Sequence, residues 1–79
     1  MSTQIDIVIS DYFTDETYTG WKMTKVVNNI LVNVGCNPIP PQMIYQYISK
    51  GYIKSVNKRV MKEVAIEWTE GYITRKLTK

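Results

Sequence analysis

The clearest pattern along the chain is helical and covers residues 21–34. Apolar side chains recur there every three or four residues, which is the spacing of one helical face. Gly35 follows directly and suits a C-terminal cap, because glycine adopts left-handed backbone without steric cost. The pattern predicts an amphipathic helix with an apolar face of Met23, Val26, Val27, Ile30, Leu31 and Val34. Its polar face consists of Lys25, Asn28, Asn29 and Asn33.

Residues 4–13 alternate instead of following a helical period. Ile5, Ile7 and Ile9 fall on one side, as in a half-buried strand. Residues 14–20 are small, polar and acidic, which predicts a loop. We therefore expect an N-terminal strand that a loop joins to the first helix.

Two prolines introduce a second helix. Pro41 suits the first helical position, because the N–H that proline lacks would have no partner there. The helix is predicted over residues 41–50, with Gly51 as its stop. Beyond it, β-prone residues around Asn57 and Lys58 predict a short hairpin within residues 52–60 that carries basic side chains near its tip.

A third helix is predicted to start near Met61 or Lys62. Gly71 lies inside it, and because glycine is a poor helix former we expect a kink or an end there. One side of this helix carries Met61, Val64, Ala65, Trp68 and Tyr72. A second apolar face carries Ile66, Ile73 and Leu77 and therefore needs a second partner. That partner is either the N-terminal strand of the same chain or another molecule, such as the second copy in a homodimer.

The composition is that of one small globular domain. The chain has 79 residues, 44% hydrophobic and 22% charged, and no apolar run near the roughly 20 residues that span a bilayer. Its N-terminus lacks the features of a signal peptide, so we expect a cytoplasmic protein with no membrane partner. Cys36 is the single cysteine and histidine is absent, which predicts neither a disulfide nor a metal site. No catalytic motif indicates an enzyme, a cofactor or a small-molecule substrate.

The charges are divided unevenly along the chain. Residues 1–21 carry a net charge of −4, and residues 22–79 carry +7. No acidic residue occurs between Glu16 and Glu63, whereas seven basic residues do. A solvated surface usually interleaves both signs, so this interval suggests a polyanionic partner. Phosphate contacts are expected from Lys54, Lys58, Arg59 and Lys62, although the same residues also fit a solubilising hairpin.

The second helix separates an apolar face from a polar one. Ile44, Tyr47 and Ile48 share the apolar face, which anchors the helix to its neighbour. Glutamine can bind the major-groove edge of adenine, and lysine neutralises phosphate, so the polar face suits a DNA groove. An ordinary solvent-facing surface also fits this face when it is taken alone. The polar face carries Gln42, Tyr45, Gln46 and Ser49, flanked by Lys50.

The run PQMIYQYISKGYI, residues 41–53, resembles the recognition helix and following turn of excisionase-like and MerR-like winged helix-turn-helix domains. The similarity continues over residues 60–68, which look like the strand after the wing and the tryptophan-bearing helix of that family. It implies a mainly α (α+β) fold with three helices, a short β-hairpin wing and an N-terminal strand or extended segment. An acidic segment, residues 1–20, would precede the winged helix-turn-helix domain over residues 21–79.

The resemblance also implies a DNA-binding surface. It places Lys54, Lys58 and Arg59 on or beside the wing, and residues 35–40 form a longer connection than the tight turn usual in the family. Trp21 and Trp68 are expected to pack in the core or at its edge rather than to stack on bases. The residues that would face the major groove are Gln42, Met43, Tyr45, Gln46 and Ser49.

These patterns predict a small, sequence-specific or architectural protein that binds double-stranded DNA without catalysis. It would regulate transcription or assist DNA recombination. The alternative is a non-catalytic protein-interaction module that binds or inhibits a larger protein machine. In that case the partner surfaces would be the Tyr45 and Gln46 face and the face of Ile66, Ile73 and Leu77. Tyrosine is common at protein interfaces as well, so composition does not separate the two functions.

Overall fold

The structure, a computed structural model, describes residues 8–77, with only the backbone of Leu77. Three α-helices, one 3-10 helix and one short antiparallel strand pair form the regular structure of the described chain, which confirms the predicted mainly helical α+β fold. The order of elements is consistent with a small winged helix-turn-helix-like fold. In chain order the elements are a 3-10 helix (Ile9–Tyr12), β1 (Thr17–Tyr18), α1 (Gly20–Asn33), α2 (Pro41–Ser49), β2 (Val60–Met61) and α3 (Lys62–Leu77).

The first helix, α1, is bounded by local capping interactions at both ends. At its start the side-chain oxygen of Thr19 accepts a hydrogen bond from the backbone N–H of Lys22 (3.2 Å). At its end Gly35 has φ +84°, as predicted for a cap, and its N–H donates to the carbonyl of Val32. The N–H of Cys36 donates to the carbonyl of Leu31 (2.7 Å), which completes a Schellman motif.

The second helix, α2, ends by the same motif. Pro41 opens it as predicted, and Gly51 stops it with φ +85°. The N–H of Tyr52 donates to the carbonyl of Tyr47 (2.9 Å), and the N–H of Gly51 donates to that of Ile48 (3.2 Å). The rings of Tyr47 and Tyr52 also meet edge to face, with centroids 5.7 Å apart. The direction in which the chain leaves α2 is therefore fixed by both backbone and side-chain contacts.

Residues 34–40 connect α1 to α2 and are held against α1 by one side chain. Asn28 is half-buried and bonds to both backbone polar groups of Ile39, whose own side chain is buried. Asn28, predicted on the polar face opposite the apolar stripe, therefore faces the connection rather than open solvent. A polar residue beside an apolar stripe can equally serve a neighbouring loop, because loop backbone needs hydrogen-bond partners once it is buried.

The small sheet pairs distant parts of the chain. β1 is antiparallel to β2, with Thr17 opposite Met61 and Tyr18 opposite Val60. The hairpin that precedes β2, residues 56–59, is the predicted wing, and its two turn residues both have positive φ. That conformation is a type I′ turn, which matches the twist of the flanking backbone.

The N-terminal part differs from prediction. Ile9–Tyr12 forms a 3-10 helix where a strand was expected, and β1 lies within the predicted loop. The backbone turns locally because Asp11 N–H donates to the carbonyl of Val8 and Phe13 N–H to that of Ser10. This turn places Ile9, Tyr12 and Phe13 against the core. Residues 4–7 of the predicted strand, with Ile5 and Ile7, lie outside the described residues.

The third helix, α3, starts at Lys62 as predicted and continues through Gly71, so the expected end at that glycine is wrong. Tyr72 and Ile73 follow the glycine and are both buried, and this tertiary packing outweighs the weak helix propensity. Met61 lies in β2 and is exposed rather than on the inward helix face. None of the helices within residues 8–77 is sufficiently long and apolar to cross a membrane.

Candidate nucleic-acid interface

One face of α2 is anchored in the core and the other is open to solvent. Ile44 is fully buried, and Tyr47 and Ile48 are half-buried beside it. Tyr45 is 49% exposed. The four polar-face residues Gln42, Tyr45, Gln46 and Ser49 are all exposed, as is Lys50 at the end of the helix. The helical period therefore predicted this surface correctly.

Met43 differs from the other residues predicted to face the major groove. It is half-buried and packs against the core. The reason is its position one turn before Tyr47, because residues four apart lie on the same helix face and Tyr47 contacts Trp68 of α3. Met43 supports the exposed surface from below rather than forming part of it.

The wing presents its basic side chains to solvent. Asn57 and Lys58 form the turn, with φ 53° and 63°, so Lys58 lies at the tip. Lys54, Lys58 and Arg59 are exposed. A guanidinium nitrogen of Arg59 lies 3.4 Å from the hydroxyl of Thr17, so the base of the wing is joined to β1.

The last predicted phosphate contact, Lys62, lies apart from the wing. It is half-buried at the start of α3, and its backbone N–H donates to the carbonyl of Glu16 (2.9 Å). Glu16, Glu63 and Met61 line a depression of about 230 Å³ together with Lys62. Lys62 therefore shares this depression with two acidic residues, whereas the basic residues of the wing are exposed.

The polar face of α2 and the wing border the same short segment. Arg59 contacts Thr17 at one end of that segment, and the ring of Tyr45 lies against Gly20 at the other. Because Thr17 and Gly20 are three residues apart, their Cα atoms are separated by at most about 11 Å. The structure thus brings together the amide-bearing helix edge and the cationic hairpin, which the sequence separates by a helix end and a turn.

The cations of this surface are not neutralised within the described part of the chain. Lys22 forms an ion pair with Asp15 and lies over the ring of Tyr18, so it is engaged internally. No comparable ion pair to a carboxylate of residues 8–77 involves the basic residues of α2 and the wing. These residues, Lys50, Lys54, Lys58 and Arg59, keep their charge available for an anionic partner.

Trp21 is a candidate surface residue that the sequence prediction missed. It is 56% exposed, next to Gly20, and Lys25 Nζ lies 5.9 Å from the centroid of its ring. The prediction of a packing role is therefore wrong for Trp21. It is confirmed for Trp68, which stacks on Tyr72 at 5.1 Å and contacts Tyr47 at 5.8 Å. The available signal was that Trp21 lies outside the apolar stripe of its helix.

The predicted partner face on α3 is smaller than expected. Ile73 is 2% exposed and belongs to the core, so it offers no surface to another molecule. Ile66 is half-buried and lines an open groove of about 420 Å³ together with Glu63, Glu67 and Glu70. The 3-10 helix, which stands where the N-terminal strand was predicted, packs against α3. This contact corresponds to the intramolecular one of the two partners expected for the second apolar face of α3. The side chain of Leu77 lies outside the described residues.

The described residues form no cluster of three or more His, Cys, Asp or Glu side chains suited to a metal ion. The thiol of Cys36 is free and half-buried within the connection between α1 and α2. Comparison of the chain with protein-family models, with curated proteins and with solved structures found no match.

Proposed function

We propose that the protein binds double-stranded DNA without catalysis, as an excisionase-like or MerR-like regulator of transcription or accessory factor in recombination. One observation carries the proposal: the exposed edge of α2 and the exposed basic wing border the same segment, Thr17 to Gly20. A helix of this kind fits the major groove, and a cationic hairpin beside it meets the phosphate backbone. We further propose a cytoplasmic location, where such a protein would have access to DNA.

The two parts of the surface have different roles. Gln42 and Gln46 carry amides that can pair with the major-groove edge of adenine, while Ser49 and Tyr45 offer hydroxyl groups to bases or phosphates. Lys58 and Arg59 supply charge to phosphates and carry no sequence information. Sequence preference would therefore depend on α2, and most of the affinity would depend on the wing.

The geometry between these parts is fixed before DNA arrives. The Schellman motif at Gly51 and the contact between Tyr47 and Tyr52 set the direction of the chain as it leaves α2. The antiparallel pairing of β2 with β1 holds the other end of the wing, where Arg59 also lies 3.4 Å from the Thr17 hydroxyl. A surface ordered in advance loses less conformational freedom on binding, which favours affinity.

A second candidate function is a non-catalytic protein-interaction module. The groove of Ile66, Glu63, Glu67 and Glu70 favours it, since an acidic edge with an apolar centre repels DNA and suits a basic protein segment. Both functions can coexist, because this groove is formed by α3 residues that contribute nothing to the exposed surface of α2 and the wing.

A mobility shift with random-sequence duplex DNA at two ionic strengths tests the proposal, beside a mass measurement in solution. If Lys50, Lys54, Lys58 and Arg59 each displace a counterion, log affinity should fall with log salt at a slope of roughly −3 to −4. Between 50 and 200 mM salt this corresponds to about a hundredfold loss of affinity. A flat response, or no binding at low salt, contradicts the DNA proposal. A dimer mass would indicate a two-fold-symmetric target.

A further inference from the structure

The ring of Tyr45 occupies the space that a side chain on residue 20 would need. A Cβ atom built on Gly20 would lie 2.5 Å from Cε1, 2.8 Å from Cδ1 and 3.0 Å from Cζ of Tyr45. These separations are far below van der Waals contact, and the atoms belong to a ring that moves only as a unit. Gly20 and Tyr45 are therefore compatible because residue 20 has no side chain.

The glycine is used here for space and not for backbone freedom. The positive-φ glycines of the described chain are Gly35 and Gly51, so Gly20 has a backbone that other residues also adopt. It is the first residue of α1, where alanine is the better helix former. The carbonyl of Gly20 accepts a hydrogen bond from the Thr24 hydroxyl (2.7 Å), which orders this turn. What distinguishes the position is its contact with Tyr45.

That contact lies in the middle of the surface assigned to DNA. Tyr45 is half-exposed although one edge of its ring rests on Gly20. A free tyrosine on a helix surface samples several rotamers, whereas a ring seated on the backbone of a second helix is held in one. Because the ring is already held in one rotamer, binding costs less conformational entropy at this side chain.

We propose that Gly20 is a positioning residue for DNA recognition, because it forms the seat that fixes the ring of Tyr45 at the interface. The inference rests on the proposed function, since a fixed ring matters only if this surface meets a ligand. Gly20 itself need not touch DNA. It acts through Tyr45, and the two residues should therefore behave as a coupled pair.

A double-mutant cycle tests the coupling. The variants are Gly20→Ala, Tyr45→Ala and the double variant, each titrated with a fluorescently labelled random-sequence duplex at low salt. With Tyr45 present, Gly20→Ala should weaken binding by about threefold to tenfold, as expected for losing the order of one side chain. In the Tyr45→Ala background the same change should alter affinity by less than about twofold. Tyr45→Phe keeps the ring, so adding Gly20→Ala to it should again weaken binding.

Two controls separate positioning from loss of fold. Thermal unfolding followed by circular dichroism should show that every variant remains folded at the binding temperature. Gly71→Ala is the matched substitution, because a Cβ atom there meets only the end of Arg75 at 4.0 Å. It should leave DNA affinity unchanged.

The outcomes that overturn the inference are distinct. If Gly20→Ala lowers DNA affinity equally with Tyr45 and with Tyr45→Ala, residue 20 acts on α1 itself. If Gly20→Ala does not lower affinity when Tyr45 is present, the ring is not held. In an NMR spectrum, the Hα signals of Gly20 should shift when Tyr45→Ala removes the ring current, with or without DNA. If that shift is seen but no variant binds duplex DNA, the contact stands while the proposed function and the role of Gly20 in it both fail.

Discussion

Asn28 and Ile39 are joined by two hydrogen bonds across the connection between α1 and α2. The amide nitrogen of Asn28 donates to the carbonyl of Ile39 (2.9 Å), and the N–H of Ile39 donates to the amide oxygen (2.8 Å). Ile39 is 7% exposed, so water has little access to this residue. The long connection is therefore tied to α1 at its buried residue, beside the direct packing of α1 against α2.

We expect Asn28→Ala to lower the free energy of unfolding by about 1–3 kcal/mol, because it leaves both backbone groups of Ile39 without a partner. Urea denaturation followed by circular dichroism measures the change. Asn29→Ala is the matched control, since Asn29 is exposed and its side chain has no hydrogen bond within residues 8–77. The control should stay within about 0.5 kcal/mol of the unmodified chain. Equal effects at the two positions would show that the loop is not held by Asn28.

A glycine just after one helix and a glycine inside another should respond in opposite directions to alanine. Gly51 has φ +85°, where a Cβ atom is strained, so Gly51→Ala should destabilise the fold by about 1–2 kcal/mol. Gly71 lies inside α3 with open space around it, so Gly71→Ala should stabilise by roughly 0.5–1 kcal/mol. Thermal unfolding should give a midpoint below that of the unmodified chain for Gly51→Ala and above it for Gly71→Ala. Destabilisation by both would mean that α3 needs the glycine for packing.

The two tryptophans should differ in what they contribute to stability. Trp68→Ala removes a ring that packs on Tyr47 and Tyr72, and we expect a loss of about 2–4 kcal/mol. Trp21→Ala removes an exposed ring whose described contact is with Lys25, so its loss should stay below about 1 kcal/mol. Denaturant titrations of both variants provide the comparison. A loss at Trp21 equal to that at Trp68 would contradict the exposed placement.

Local signals explain why the helices could be predicted from the sequence. The caps of α1 and α2 depend on Gly35, Pro41 and Gly51, whose preferences operate within a few residues. The wing was predictable for the same reason, because Asn57 accepts the left-handed backbone of its turn. The exposed edge of α2 followed from the helical period alone.

The features that could not be predicted depend on partners far along the chain. β1 is only two residues long and exists through its pairing with Val60 and Met61, so no alternation within its own sequence reveals it. Met43 packs against a core built from several elements, and Lys62 shares a depression with Glu16 from the N-terminal part. The helical period indicates which face of α2 or α3 turns inward. It does not indicate which distant residues pack against Met43 or Lys62.

Removing charge from the wing should weaken DNA binding more than removing it elsewhere. Lys58→Gln deletes a cation at the tip of the wing, and we expect weaker binding to all duplex sequences and a salt slope reduced by about 0.9. Lys76→Gln changes the net charge equally, but Lys76 lies over the ring of Tyr72 near the end of α3. It should change the salt slope little. Fluorescence titrations at several salt concentrations give both slopes, and equal reductions would indicate attraction by net charge without a defined interface.

Gln46→Ala should affect sequence preference and leave general affinity in place. Gln46 is exposed on α2 and carries no charge, so its amide can contribute only where it meets a matching base edge. Selection from a random duplex pool with the unmodified chain first identifies a preferred duplex. Its affinity is then compared with that of a shuffled duplex. The variant should lose about 1–3 kcal/mol of this discrimination while binding the shuffled duplex as before.

Lys58→Gln should give the reverse result, weakening binding to both duplexes and keeping the ratio of their affinities. If Gln46→Ala also weakens both duplexes alike, the amide supports α2 structurally or contacts phosphate, and the assignment of sequence preference to this helix edge is wrong.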